Sequence, residues 1–323
     1  MRRVLVLGGT AWLGREVVRA AVAGGAEVVC LARGTSGDVP DGARLVRADR
    51  TRPGAYDDLD GEWDAVVELA YRPELVGPAL NALADRAAHW TLVSSISVYA
   101  RHDEPGADES AALVEPSDPA DYAHAKVMAE RASAERLAGR LHVVRPGLIA
   151  GPGDPSDRFG YWPARLLRGG KVLTPVVDAQ RVQVVDVADL AAWVVRAGNA
   201  GWTGVVDAVG HSHPLGEVLA GTAAAAGFTG ELVPADDGWL LEHDVRHWAG
   251  PRSLPLWLPQ DHAGHSRRSN AAYLAAGGTV RPLGETIERV LRDEAERGLD
   301  RERRSGLTAA DEAELLRELP RAR

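Results

Sequence analysis

Short apolar runs alternate with amphipathic stretches through the first half of the chain. RVLVLG (3–8), EVVCLAR (27–33), ARLVRAD (43–49), DAVVELA (64–70), HWTLVSS (89–95) and LHVVRPG (141–147) are too short for helices and read as strands. LGREVVRAAVAGG (13–25) has helical spacing closed by glycine, and a long helix is expected over roughly 120–139. Strand–helix alternation of this kind predicts an α/β fold over residues 1–150: a Rossmann-type, doubly wound parallel sheet. Its ligand crevice lies at the carboxyl ends of the strands.

After Gly147 the pattern changes. GLIAGPGDPSDRFGYWP is rich in Gly, Pro and Asp, and six of the nine tryptophans (162, 193, 202, 239, 248, 257) fall beyond Gly147. Residues 151–295 are therefore expected to be mostly a smaller C-terminal substrate lobe closing over the crevice. RVQVVDVADLAAWVVRAG (181–198) is expected to return to the main sheet as strand and helix, so that 181–210 rejoins the dinucleotide-binding domain. The remainder, 296–323, reads as a charged helical tail, with Thr308 as N-cap and Asp311 three residues on.

Composition narrows the function classes. Apolar residues at 45% and charged residues at 26% suit a soluble enzyme, and a net charge of −9 argues against a nucleic-acid partner. The single cysteine, Cys30, excludes an internal disulfide and a multi-cysteine metal site and fits a reducing cytoplasm. The apolar run after the two N-terminal arginines is only four residues long, too short for a signal core. No stretch approaches the ~18 apolar residues that span a bilayer. A cytoplasmic location without a membrane partner is expected. His243 and His247 have i, i+4 spacing with acids adjacent, but the chemistry developed below needs no metal, and none is expected.

Gly8, Gly9 and Gly14 follow the first strand and open the first helix. Glycines there let the backbone approach a pyrophosphate, while the helix N-terminus offers free N–H groups. The pattern is GGxxxxG rather than GxGxxG, with Ala11 at the middle glycine position. An acid ending the second strand would select NAD; here Ala32 stands in that place with Arg33 next, which favours NADP(H) over NAD. Asp49, ending the third strand, is either an adenine contact or a turn cap.

Only two of the 37 basic side chains are lysines, Lys126 and Lys171, and Lys126 stands four residues after Tyr122. Residues i and i+4 share a helix face. GGTAWLG (8–14), LVSSISVYA (92–100), YAHAK (122–126), RPGLIAGP (145–152) and VQVVDVADLA (182–191) occur in an order and spacing that resembles the short-chain dehydrogenase/reductase superfamily, in its extended and atypical branch. RPLGETI (281–287) extends the resemblance beyond residue 200.

The resemblance implies a catalytic Ser95–Tyr122–Lys126 set. It also implies cofactor contacts from Gly8, Thr10, Ala11, Trp12, Leu13, Gly14, Leu69, Ala70, Tyr71, Lys126 and Pro146–Gly147–Leu148–Ile149, beside Arg33 and Asp49. The chemistry is coherent. Reducing a carbonyl leaves an alkoxide that needs a proton and a donor, which Tyr122 and Ser95 would supply. A free phenol titrates near 10, so the neighbouring ammonium is expected to lower the Tyr122 pKa. Arginine's planar fork is not a compact ammonium, which explains a lysine here.

Departures from the family matter. Glu68 and Tyr71 stand near the end of the fourth strand, where many relatives carry His or Asn. Ile96 and Ser97 follow Ser95 where 4,6-dehydratases place Asp-Glu. Val182, with Arg181 beside it, stands where sugar-nucleotide epimerases bring an arginine. Tyr161 and Trp162 are expected on the substrate side; Trp257, in LPLWLP, either walls the substrate pocket or packs the lobe. The expected activity is NADP(H)-dependent reduction of a carbonyl on a small organic substrate. The alternatives are a sugar-nucleotide epimerase with tightly held NAD and a non-catalytic NADP-sensing or RNA-associated protein. A homodimer through helices flanking the fifth and sixth strands is a further implication of the resemblance.

Overall fold

The computed structural model describes residues 2–320. In chain order its first strands are β1 (Arg3–Leu7), β2 (Glu27–Ala32), β3 (Ala43–Arg47), β4 (Ala65–Glu68), β5 (Trp90–Val93), β6 (Leu141–Pro146), β7 (Leu148–Ala150), β8 (Lys171–Pro175), β9 (Arg181–Asp186) and β10 (Gly204–Ala208). The first helices are α1 (Trp12–Ala23), α2 (Pro73–Leu83), α3 (Tyr122–Leu137), α4 (Tyr161–Leu167) and α5 (Val187–Ala200). Seven strands form one sheet in the order β10-β6-β5-β4-β1-β2-β3, parallel throughout. The order reverses between β1 and β4, and that is where a doubly wound sheet opens its crevice.

A parallel sheet must be covered on both faces, and the strand period of two shows how this chain does it. Val4 and Val6 pack with Val17 and Val18 of α1 and Leu190 and Val194 of α5. Leu5 and Leu7 point the other way, into Val76 and Leu80 of α2 and Ala129 of α3. Each such fully buried Leu or Val contributes about 1.5–3 kcal/mol.

The second lobe is built from small sheets. β9 lies between β7 and β11 (Ser212–Pro214) and pairs with both, β8 pairs with β12 (Glu231–Ala235), and β13 (Arg246–Trp248) pairs with β14 (Ser253–Pro255). Helices α6 (Leu215–Ala225), α7 (Asp237–Glu242), α8 (Ala271–Ala275), α9 (Leu283–Arg297) and α10 (Ala309–Glu318) complete the chain. Its core gathers Phe159, Tyr161, Trp162, Leu254, Trp257, Ile287, Leu291 and Leu315.

One expectation needs correction. The strand at 181–186 does not join the main sheet. β6 runs on through Gly147 into β7, β9 pairs with that continuation, and β10 takes the open edge beside β6. The following helix does return, because α5 packs on α1. The charged tail carries the expected helix, α10. Thr308 and Asp311 form the expected reciprocal cap, and Glu312 of α10 is buried against Arg165 of α4 at 2.5 Å. Among the described residues no helix is long and apolar enough to cross a membrane.

Candidate active site

The β1–α1 loop is built for close approach. Gly8 has φ +99°, a conformation that favours glycine, and a Cβ on Gly14 would overlap the Gly8 carbonyl oxygen. Ala11 caps α1 with no side-chain hydrogen bond, so the first N–H groups of the helix lack a side-chain cap. Beyond this loop lies a cavity of about 260 Å³ walled by Gly8, Thr10, Ala11, Arg33, Asp49, Leu69 and Ala70. Thr35, Ser36, Arg50 and Arg72 complete its polar wall, and sequence reasoning did not single them out. Arg33 is exposed at its mouth. Asp49 lies on the wall, yet its Oδ1 accepts from the Thr51 N–H (3.0 Å) and hydroxyl (2.7 Å), as a turn cap does. The glycine cradle, the helix N-terminus and this cavity at the carboxyl end of β2 fit a bound dinucleotide.

A second cavity of about 450 Å³ adjoins it at the shared wall residue Leu69. Trp12, Leu13, Tyr71, Ser95, Tyr122, Lys126 and Pro146 to Ile149 line it. Asp121 caps α3 by accepting from the His124 N–H, so Tyr122 is the first helical residue and Lys126 stands one turn on. Ser95, just past β5, caps a short turn of Ile96–Val98 by accepting from the Ser97 N–H at 3.1 Å. The fold thus brings the three expected catalytic residues into one cavity.

Their electrostatics correct one expectation. Lys126 is buried and donates to the Val93 carbonyl at 2.6 Å; its Nζ lies 4.8 Å from the Tyr71 ring centroid and 5.7 Å from that of Tyr122. It therefore sits over ring faces rather than at the phenol oxygen. Burial pushes its pKa down to about 7, with Glu68 and Glu130 pulling the other way. The Tyr122 pKa is raised, not lowered, because protein surrounds the hydroxyl; Ser95 and Arg158 offset part of the rise. The residue as a whole is 45% exposed, so water moderates the effect.

Glu68 and Tyr71 have distinct parts. Glu68 is buried in an ion pair with Arg50 and also accepts from the Ala70 N–H at 2.8 Å, fixing the turn beneath the cavity. The Tyr71 ring stands edge-on to Tyr122 at 5.0 Å.

Motif residues outside the site hold its back wall. Arg145 is paired to Glu130 and donates to the Tyr99 hydroxyl, which donates to Asp207, itself paired to Arg268. Asp186 and Asp189 of the DVAD segment pair with Arg289 and Arg281 of the RPLGETI region. That contact explains why segments so far apart in sequence occur together.

Tyr161, Trp162 and Trp257 are corrected. All three are fully buried in the lobe core: Trp162 donates to the Pro255 carbonyl at 2.7 Å and Trp257 to Asp237 at 3.0 Å. None lines the cavity. The α4 helix turns its aromatic side chains inward, and the lobe side of the cavity is formed instead by Arg158, Trp248 and His265. Arg158 lies three residues before Tyr161, in the segment that sequence reasoning assigned to the substrate side. His243 and His247 do not share a helix turn, because α7 ends at Glu242; they stack on Trp239 and Trp257.

Comparison with solved structures places the architecture. A candidate epimerase from Burkholderia cenocepacia matches with a TM-score of 0.71 and 23% identity, covering 91% of this chain and 98% of that one. The fold it shares with this chain is a Rossmann-like α/β fold on a seven-stranded parallel sheet. Others with this fold are TunA, an NAD-dependent NDP-hexosamine 5,6-dehydratase involved in tunicamycin biosynthesis (TM-score 0.69, 19% identity, 93% and 100% covered), and the Thermus thermophilus UDP-glucose 4-epimerase in complex with NAD (0.64, 20%, 90% and 98%). No family model and no curated protein matches the sequence. Within this fold, the two cavities lie along the carboxyl ends of the parallel strands.

Proposed function

We propose that the chain is a nicotinamide-dinucleotide-dependent oxidoreductase of the extended short-chain dehydrogenase/reductase family, reducing a carbonyl on a small organic substrate. The observation that carries this reading is the convergence of Tyr122, Lys126 and Ser95 in a cavity that adjoins an uncapped, glycine-cradled helix N-terminus. The dinucleotide, when bound, supplies the hydride. The chain's own residues do the rest. Gly8, Gly9 and Gly14 admit the pyrophosphate, Pro146 to Ile149 wall the far end, and Lys126 retains N–H donors beyond the one given to Val93 for a ribose hydroxyl. The Ser95 hydroxyl polarises the substrate oxygen, and Tyr122 Oη delivers the proton to it. Arg33 at the cavity mouth supports NADP(H), through a charge-assisted bond to a 2′-phosphate.

A second reading, a sugar-nucleotide epimerase holding NAD, is favoured by the fold neighbours that are NAD-dependent epimerases. Against it, Arg181 is turned away from the cavity, its guanidinium donating to the Ser212 hydroxyl and carbonyl at 2.8 Å. The test is Tyr122→Phe. Dinucleotide titrations with NADP+ and NAD+ should give unchanged affinities, tighter for NADP+, while NADPH consumption with a panel of small ketones falls at least a hundredfold, as loss of a general acid requires. Turnover that survives in Tyr122→Phe, with only cofactor binding lost, overturns the assignment. Purified protein carrying NAD and consuming no reduced cofactor selects the epimerase.

A further inference from the structure

The catalytic cavity has a charge at odds with its protein. The chain carries a net charge of −9, yet no Asp or Glu lines this cavity, and two cations do: Lys126 and Arg158. Lys126 belongs to the dinucleotide side. Arg158 enters from the other lobe, and the oxidoreductase reading gives it no task.

Elsewhere in this protein buried arginines are matched to carboxylates: Arg50 to Glu68, Arg145 to Glu130, Arg165 to Glu312 and Arg268 to Asp207. Arg158 has no such partner. Its Nε donates to the Ser156 hydroxyl at 3.1 Å, and its two terminal amino groups donate to no described residue. Two acids flank it in sequence: Asp157 is spent elsewhere, and Asp154, close enough to favour the Arg158 charge, makes no ion pair with it. Asp154 accepts from the Ser156 N–H and hydroxyl, each at 2.8 Å. Asp157 accepts from Arg301 and from the Arg304 N–H at 2.8 Å. The loop is further tied by the Gly153 N–H to Asp293 at 2.8 Å. The guanidinium is thus held on a braced loop, and burial lowers its pKa. Among the described residues no carboxylate closes an ion pair with this half-desolvated charge, Asp154 only favouring it from nearby, and an anion in the cavity would relieve the remaining cost.

The surroundings point the same way. The guanidinium lies 5.2 Å from the centre of the Trp248 ring, which also contacts His265. Trp248 takes φ +64°, a conformation in which bulky side chains are outliers and which tends to persist where function demands it. An arginine fork over an aromatic face leaves its terminal N–H pair free for bidentate recognition of a carboxylate or phosphate.

We propose that Arg158, seated on Trp248, is the recognition residue for a single anionic group on the substrate, a carboxylate or a phosphate monoester. This deepens the oxidoreductase reading and rests on it for the word substrate. One guanidinium and a cavity of about 450 Å³ suit a small keto acid or keto phosphate.

The test uses three probes of one shape: benzoate, phenyl phosphate and neutral benzamide, titrated calorimetrically into the full chain with and without saturating dinucleotide. Benzoate or phenyl phosphate should bind at least tenfold more tightly than benzamide, and the tighter of the two names the chemistry. Arg158→Gln should erase the preference while dinucleotide affinity holds, and Arg158→Lys should keep part of it. Equal binding of all three probes, no saturable binding of either anion, or a preference surviving in Arg158→Gln overturns the proposal. So does an anion that displaces the dinucleotide, since it would then occupy the pyrophosphate cradle. Failure of the dinucleotide to bind defeats the oxidoreductase reading instead, and the cofactor-free titrations still report on Arg158.

Discussion

Lys126 holds a proton where the protein makes holding it hard. Burial brings its pKa from 10.5 to about 7, while an unfolded lysine keeps its proton up to the ordinary value. Between those two pH values the unfolded chain binds more protons than the folded one, so stability rises with pH across that window. Below about 7 both states are protonated and the full penalty applies. Lys126→Met should therefore flatten the pH dependence of the urea midpoint between pH 7 and 10; an unchanged slope would mean that the ammonium is well solvated. At this scale the sequence was informative wherever chemistry is unusual in type and spacing. A rare lysine one helical turn after a tyrosine is legible. Its electrostatic effect was not, because the side chain's choice of Val93 over the phenol oxygen depends on where β5 lies. Arg158 was hidden for the opposite reason: among so many arginines, only the contacts of its neighbours show it to be unpaired.

The β1–α1 unit shows how an element converts sequence into a site. Its glycines are required by contacts within the β1–α1–β2 unit: Gly14 against Gly8, and Gly9 against Cys30 of β2. Gly14→Ala should push α1 off the loop, costing about 1–3 kcal/mol by overpacking. Dinucleotide affinity should fall more than tenfold, read by thermal unfolding and cofactor titration of the same variant. Wild-type values for both would show that the helix can shift without consequence. Elements of this kind were legible because apolar periodicity and local turn chemistry specify them. Pairing partners were not. β9 is as apolar as the main strands, and nothing in its own residues says that β7, rather than β6, will be its neighbour.

Across the whole molecule, the last segment braces the second lobe. Glu312 accepts from Arg165 and from the Leu173 N–H at 3.0 Å, joining α10 to α4 and β8. Arg301 and the Arg304 N–H hold Asp157, next to Arg158. Glu312→Ala leaves Arg165 buried and unpaired, a change that costs about 3–5 kcal/mol; chemical denaturation should show that loss, and a loss under 1 kcal/mol would mean that water reaches the guanidinium. The sequence by itself determined the alternation of strand and helix, the glycine cradle and the Tyr122–Lys126 spacing, because each is set by residues close along the chain. Tertiary structure alone decided that Tyr161, Trp162 and Trp257 are core, that the charged tail is a brace, and that Arg158 faces the cleft without an ion pair among the described residues. Burial and ion pairing depend on residues distant in sequence, and no local pattern encodes which of many like side chains will meet.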